Sequence, residues 1–421
     1  MVFSALDGYY VPSTGIETCK IACGICERVC PFEPDNPGTV DLTRHLFAGS
    51  PDILYDNVLG YYLQTFAGYS EEHRLRSASG GLLTWKLESL LAGGDLDGVV
   101  CVGPDPTSPV LFDYRICRSA EDLRSCCGSC YQPVEVSRAL RQVIDQGGRY
   151  AIVALPCVAR GLRLAMRAND KLQASIRLII GLVCGQMKSR HFVEYLCHKS
   201  GLSGYPSSIS FRHKRLDRPA NDIAFRFVWE NHRSLDIGRT EGVARLWGER
   251  WFTLEACDYC DDVFAECADA AFMDAWLPEY AADPRGHSLL LVRNPMLLPI
   301  VNPARNTGLS LEPINPQAIL ASQAGVIHQK RTLAAYMEAS CNYSKRIPAI
   351  RSLRRKCRFD HQLEAWTKVR IRCITCFGLL ENTRAGERLI ALLAFPWILV
   401  RLLTGFAWRI RRMIRSLTSH G

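Results

Sequence analysis

No apolar run in this chain reaches the length of a bilayer span. Residues 389–400 give twelve consecutive apolar positions, where about twenty are needed. Extending that run to Trp408 takes in Arg401, at a cost of at least ~2.5 kcal/mol near a helix centre. The opening residues pair no basic segment with a long apolar one, so no secretory leader is expected. No internal repeat is evident. Histidine is sparse, ten scattered residues, and neither a Ser/His/Asp nor a Cys/His arrangement stands out, which argues against a nucleophilic hydrolase. Hydrophobic content of 48% and charged content of 22% are ordinary for a globular protein. With 421 residues, two or three domains are expected.

Cysteine, by contrast, is abundant at nineteen. The number is odd, many are clustered, and the chain is long. These features favour metal binding in a reducing, cytoplasmic setting over a disulfide scaffold. Cys19, Cys23, Cys26 and Cys30 fall within twelve residues and are followed by Pro31. A short looping peptide of this kind brings thiolates onto an iron–sulfur cluster from several directions. Zinc, which also takes four thiolates, is the rival ion. The first gap is three residues where ferredoxin runs have two, so Cys23, Cys26 and Cys30 are firmer ligands than Cys19. A second set is Cys157, Cys184, Cys257 and Cys260. The first two follow apolar runs at 150–155 and 176–183, and the last two form a C-x2-C pair.

The apolar runs at 99–102, 150–155, 176–183 and 288–292 read as buried strands. Segments 84–92, 134–145 and 161–166 read as helices. Antiparallel β structure is expected over 205–256, and residues 268–276 read as a strand running into a polar loop. In open α/β sheets ligands bind at the carboxyl ends of strands, which is where Cys157 and Cys184 fall. The loop 76–83, rich in Ser and Gly, leads into a helix. It reads either as an anion site or as an ordinary Ser-capped helix start. Asp261 and Asp262 read as a solvated turn beside Cys260.

In one order the chain carries Ser77-Ala-Ser-Gly-Gly81, Leu155-Pro-Cys157, Ile180-Gly-Leu-Val-Cys184, Cys257-x2-Cys260-Asp261 and Phe272-Met-Asp-Ala-Trp276. Together these resemble the coenzyme F420 hydrogenase/dehydrogenase beta subunit family over about residues 15–295. The resemblance implies an iron–sulfur flavoprotein holding FAD and one or two [4Fe–4S] clusters. Such a protein passes electrons between an iron–sulfur or ferredoxin-type donor and an organic two-electron acceptor, coenzyme F420 or another. It also implies a flavin site at Ser77, Ser79, Gly80 and Gly81, with Gly128, Ser129 and Tyr131 nearby and Asp274 in the last motif. Three departures stand out: Cys130 replaces a usual basic residue, Ala154-Leu155 replaces Gly-Thr, and Met273 replaces a glycine and is expected to crowd a turn. A non-enzymatic electron-transfer subunit of a larger complex is the alternative.

The expected fold is α+β. A small ferredoxin-like cluster module and linker occupy residues 1–70, and a mixed α/β flavin-binding core occupies 71–200. A β-rich domain with the C-x2-C pair follows at 201–300, then a basic helical tail at 301–421. From Lys330 onward there are 19 Lys/Arg against 5 Asp/Glu, whereas the preceding residues hold 32 against 37. Arg401, Arg409, Arg412 and Arg415 fall near one helical face, with Trp397, Phe406 and Trp408 beside them. An amphipathic helix on the cytoplasmic membrane surface is expected, and nucleic acid is a weaker use of the same charge. The pair Cys373 and Cys376 is left without a second pair. An oligomer or a partner subunit is compatible with all of this.

Overall fold

The computed structural model describes residues 1–13, 23–202, 204–298 and 308–340, with side chains to 335. Cys19 and the tail beyond residue 340, with Cys373, Cys376 and the basic aromatic segment, lie outside the described residues.

Two short hairpins come first, β1 (Val2–Ser4) with β2 (Tyr9–Val11) and β3 (Leu54–Asp56) with β4 (Gly60–Tyr62). The main sheet uses β5 (Gln64–Ser70), β6 (Gly98–Pro104), β7 (Phe112–Cys117), β8 (Tyr150–Ala154) and β9 (Ile176–Leu182). A smaller antiparallel sheet is built from β10 (Ser208–His213), β11 (Ala224–Val228) and β12 (Ser234–Gly238). The main sheet is completed by β13 (Ala270–Asp274), β14 (Ser288–Val292) and β15 (Leu309–Pro313).

The eight strands run in the order β15-β5-β14-β13-β9-β8-β6-β7. Its centre, β6, β8, β9 and β13, is parallel, and its flanks are antiparallel. A parallel centre is buried on both faces, which is why β8 reads as an unbroken apolar run; β14, antiparallel to both of its neighbours, is buried throughout as well. Alternate residues serve opposite faces. Val99, Cys101, Ala151 and Val153 pack with Leu82, Leu87 and Leu90 of the helix Leu82–Ala92 on one side. Val100, Ile152 and Ala154 pack with Ala159 and Leu162 of the helix Pro156–Ala168 on the other. Strands from before residue 70 and after residue 300 share this sheet with those between them.

Two buried ionic centres join the layers. Arg293, fully buried, donates to the carbonyls of Leu59, Tyr61, Phe264, Ala265 and Ala268. Asp269 accepts from Arg163 Nη2 at 2.9 Å, from the Ile179 amide at 2.7 Å and from Asn294 at 3.1 Å. These bonds fix the 263–269 segment, which passes tightly over β9. A Cβ on Gly181 would come within 2.5 Å of the Ala265 methyl.

Several expected elements shift. The helix expected over 161–166 runs from Pro156, because proline at the first position suits a helix start. The helix Leu82–Ala92 is not Ser-capped: Gly81 holds its N-cap in the left-handed region, with no side-chain cap bond. Met273 does not crowd a turn. It is a buried residue inside β13, opposite Leu289.

Candidate functional site

Cys157, Cys184, Cys257 and Cys260 converge from three parts of the chain. Cys157 lies in the first turn of the helix Pro156–Ala168, just past β8. Cys184 follows β9, and its amide donates to Val263 O at 3.2 Å. The short helical turn Glu255–Asp258 carries Cys257, and Cys260 follows it. The Cys257 sulfur accepts the Met187 amide at 3.3 Å. Each of Cys184, Cys257 and Cys260 acts electrostatically on Cys157. Burial pushes Cys184 up to about 12 and raises Cys157 and Cys260 as well, although Lys330 works against it at all three. Burial therefore favours the protonated thiols, and a bound cation must drive their deprotonation.

Lys330 is the cation at the centre of this group. It is 3% exposed and donates to Cys260 Sγ at 3.2 Å, Cys184 O at 3.1 Å and Asp262 O. Burial opposes its charge, but Cys260, Cys184 and Asp262 outweigh that and raise its pKa. Arg250 is also buried beside the thiols. It pairs with Asp258 at 3.2 Å, while its Nε and Nη1 have no hydrogen-bond partner. Backbone strain gathers in the same region, with Arg250, Phe252 and Ala265 all at positive φ. Asp262 is buried and accepts the Glu266 amide at 3.1 Å, so it does not belong to a solvated turn.

The spacing of this group speaks to its ion. No three of the four sulfurs lie within 4.8 Å of one another among the described residues. A tetrahedral zinc with Zn–S of about 2.3 Å would hold its sulfurs about 3.8 Å apart. A four-iron cluster separates them further, because each thiolate binds a different iron. Four half-buried cysteines, a lysine on one sulfur and two unpartnered guanidinium nitrogens fit such a cluster.

Of the first cysteine set, Cys23 and Cys26 are exposed and Cys30 is half-buried. Their thiols are not gathered within 4.8 Å among the described residues. Their segment packs on the helix carrying Cys157. Asn36 Nδ2 donates to Glu27 O at 2.7 Å and Cys30 O at 2.8 Å, and Arg160 donates to Pro37 O. Pro31 and Phe32 line one pocket with Cys157, Arg160 and Cys260.

The Ser-Gly loop lies beneath a second cluster of polar groups. Ser79 Oγ donates to His287 O, and the Gly80 amide donates to Ser288 Oγ at 2.9 Å. Lys214 donates to the carbonyls of Arg74, Ser79 and Arg285. Arg212 grips Asp274 at 2.7 Å, reaches Ala78 O at 3.3 Å and sits 4.9 Å from the Trp276 ring centre. Burial works against the Arg212 charge, but Asp274 and the Tyr131 phenol more than offset it. Tyr131 packs on Phe211 at 5.3 Å and Trp247 at 4.7 Å. Cys127, next to Gly128 and Ser129, lies 3.4 Å from Thr84 Oγ1 and 4.0 Å from Ser77 Oγ. Ser77, Ser79, Gly80, Tyr131 and Asp274 are thus linked through Arg212, Lys214, Cys127 and the 287–288 strand start, while Gly81 adjoins Gly80 and Gly128 and Ser129 follow Cys127 in sequence.

Sequence reasoning missed the basic residues. Arg212, Lys214, Arg250 and Lys330 carry no motif, and in sequence each looks like a solvated charge. It also missed Gln132, which is fully buried with both side-chain amide atoms unpartnered. Such an amide lacks the partner that a bound polar ligand would supply.

Family models for the coenzyme F420 hydrogenase/dehydrogenase beta subunit match residues 65–141 with the N-terminal part and 147–317 with the C-terminal part. A subunit of the F(420)H(2) dehydrogenase of Methanosarcina mazei is 28% identical over 193 residues, 40% of this chain and 54% of that protein. A coenzyme F420-dependent sulfite reductase of Methanocaldococcus jannaschii is 33% identical over 96 residues, 23% of this chain and 15% of that protein. The chain thus spans about half of one relative and a small part of the other. Among solved structures, a chain of the F420-reducing [NiFe] hydrogenase complex of Methanosarcina barkeri shares the fold. Its TM-score is 0.51 at 16% identity, covering 68% of this chain and 95% of that one.

Proposed function

Because the chain belongs to the coenzyme F420 hydrogenase/dehydrogenase beta subunit family, we propose that it is the flavin- and iron–sulfur-containing subunit of an F420-linked or related oxidoreductase. In this reading it passes electrons between an iron–sulfur donor and an organic two-electron acceptor through FAD. The convergence of Cys157, Cys184, Cys257 and Cys260 on Lys330 carries the proposal.

A bound flavin exchanges two electrons as hydride and passes them on singly. The remaining work falls to this chain. Cys157, Cys184, Cys257 and Cys260 would hold a [4Fe–4S] cluster. Lys330 and the Met187 amide donate to the Cys260 and Cys257 sulfurs, and such bonds to the ligand sulfurs of a cluster would be a lever on its potential. The pocket of Pro31, Phe32, Cys157 and Cys260 joins this group to the segment bearing Cys19, Cys23, Cys26 and Cys30, which we assign as the relay that takes electrons in. At the other site, Lys214 and Ser79 hold the Ser-Gly loop to the 285–288 turn, and Arg212 and Gln132 offer unpartnered polar atoms to a flavin. Ser77, Gly80, Gly81, Gly128, Ser129, Tyr131 and Asp274 complete that site. The division into a 1–70 module, a 71–200 flavin core, a 201–300 β-rich part and a basic tail belongs to the same proposal.

Among the described residues no helix is long and apolar enough to cross a membrane. We assign the 389–415 segment to a cytoplasmic membrane surface, tested by flotation of the full chain with anionic liposomes. The central test is anaerobic purification with iron, sulfide and flavin measured together. About eight iron per chain with both sites filled, and about one FAD, are expected. Iron without flavin would move the chain to the alternative, an electron-transfer subunit with no substrate of its own. Absence of iron would overturn the proposal.

A further inference from the structure

A third group of cysteines lies apart from both sets. Cys101 on β6 and Cys117 on β7 have sulfurs 3.6 Å apart, and Cys117 and Cys126 sulfurs are also 3.6 Å apart. All three sulfurs lie within 4.8 Å of one another. The strand register explains the first pair. Val99 lies opposite Cys117 and Cys101 lies opposite Arg115, so Cys101 and Cys117 are diagonal neighbours on one face of the sheet. Cys126 arrives from the C-cap of the helix Ala120–Ser125. Gly103 makes room for it, since a Cβ there would stand 2.4 Å from the Cys126 sulfur.

We propose that Cys101, Cys117 and Cys126 form a metal site holding one Zn2+ through three thiolates, with a solvent molecule as fourth ligand. The spacing carries the proposal. Thiolates at about 2.3 Å from a tetrahedral zinc stand about 3.8 Å apart, close to the 3.6 Å separations here. Among the described residues these three cysteines have their sulfurs within 4.8 Å of one another. A disulfide would need two sulfurs at about 2.05 Å and would leave the third as a surplus thiol. Three soft thiolates select zinc over magnesium or calcium. On binding, the three thiol protons pass to solvent, and the site carries one net negative charge next to Arg115. Cys101 and Cys117 are buried and Cys126 is half-buried, so the ion enters from the Cys126 side.

The placement gives the ion a structural role. Cys126 begins the loop that carries Gly128, Ser129 and Tyr131, and its neighbour Cys127 touches Thr84 and Ser77. A zinc ion here ties that loop to the edge of the main sheet. The inference stands whether or not flavin binds at the loop, because it concerns zinc alone.

The test uses the full chain, purified anaerobically without chelator. Zinc and iron are quantified in the wild type, in Cys126→Ser and Cys117→Ser, and in Cys197→Ser, a buried cysteine elsewhere. Loss of one zinc per chain in the first two variants, with iron unchanged and Cys197→Ser like the wild type, is the expected result. Cys126 alkylation by iodoacetamide, followed by peptide mass, gives a site-specific second reading. Zinc should slow it at least tenfold and a chelator should restore the rate. Should Cys117→Ser fail to fold, Cys126→Ser and the alkylation rate decide alone. Unchanged zinc in Cys126→Ser, alkylation indifferent to zinc, or a disulfide among the three cysteines in zinc-supplied anaerobic protein would each overturn the proposal.

Discussion

Lys330 stands where the basic tail begins in sequence, yet it is buried against Cys260 and Cys184. In the proposed assignment its positive charge would favour the more negative, reduced state of a cluster held by those thiolates. A hydrogen bond to a charged group contributes about 1.5–3 kcal/mol, and only the part that differs between the two redox states moves a potential, so roughly 65–130 mV for one electron is the ceiling. Lys330→Met should therefore lower the midpoint potential of the proposed cluster by up to that amount, read by anaerobic redox titration followed by electron paramagnetic resonance. An unchanged potential would remove Lys330 from the tuning role. Lys214 gives a pH prediction. Burial, reinforced by Arg212 and Arg74, lowers its pKa to about 8. The folded state thus releases this proton near pH 8, while the unfolded chain keeps it to about 10.5. Between those values the unfolded state binds more protons, so stability due to Lys214 rises with pH, by at most about 1.4 kcal/mol per unit. The wild-type minus Lys214→Met difference in urea unfolding, measured from pH 7.5 to 10, should show that upward slope. Neither lysine was legible in sequence. A lone basic residue has no spacing to betray it, and only the tertiary fold decides whether its neighbours are water or thiols.

At the scale of elements, the loop-to-helix junction at residues 77–82 explains why two adjacent glycines are needed. A Cβ on Gly80 would meet Ser288 N at 2.6 Å and Gly68 O at 2.7 Å, both backbone atoms that cannot swing aside. Gly81 takes φ +82 at the helix N-cap. Gly80→Ala should destabilise the fold by about 1–3 kcal/mol and displace the loop from β14. A urea midpoint equal to the wild type would show that the loop gives way at no cost. The helix Leu82–Ala92 was legible from apolar spacing, as were β8 and β14 from continuous burial. Its cap was not, because serines at 77 and 79 imitate the N-cap pattern while bonding elsewhere. The strand order was also hidden, since β5 and β15 join the sheet through pairings more than 200 residues apart in sequence. Met273 shows the limit of motif reading: a residue that departs from the family motif reads as crowding, yet within a strand its side chain is ordinary core.

Across the whole molecule, the N-terminal segment bearing Cys23, Cys26 and Cys30 packs on the helix Pro156–Ala168, which carries Cys157. The positions of Cys157, Cys184, Cys257 and Cys260 were legible as strand ends and a C-x2-C pair. Their common location was not, because it depends on how β8 and β9 lie beside the 255–262 segment. Asn36 ties the turn bearing Cys26 and Cys30 through two carbonyls, at Glu27 and Cys30. None of the eight main-sheet strands includes this segment, so its order is separable from that of the sheet. Replacing Asn36 with alanine removes both bonds, worth on the order of 1.4 kcal/mol together, a tenfold change in the ordered population of the turn. Pro31 and Phe32 would then cover Cys157 and Cys260 less completely. Iron should be lost in air several-fold faster in Asn36→Ala, followed by bleaching of the visible absorption, while the urea midpoint of the sheet stays within about 0.5 kcal/mol of wild type. Equal iron loss in the two proteins would mean that the N-terminal segment does not shield the half-buried thiols. A matching fall in global stability would mean that segment and sheet unfold as one unit, and the segment bearing Cys26 and Cys30 would then be no separate module.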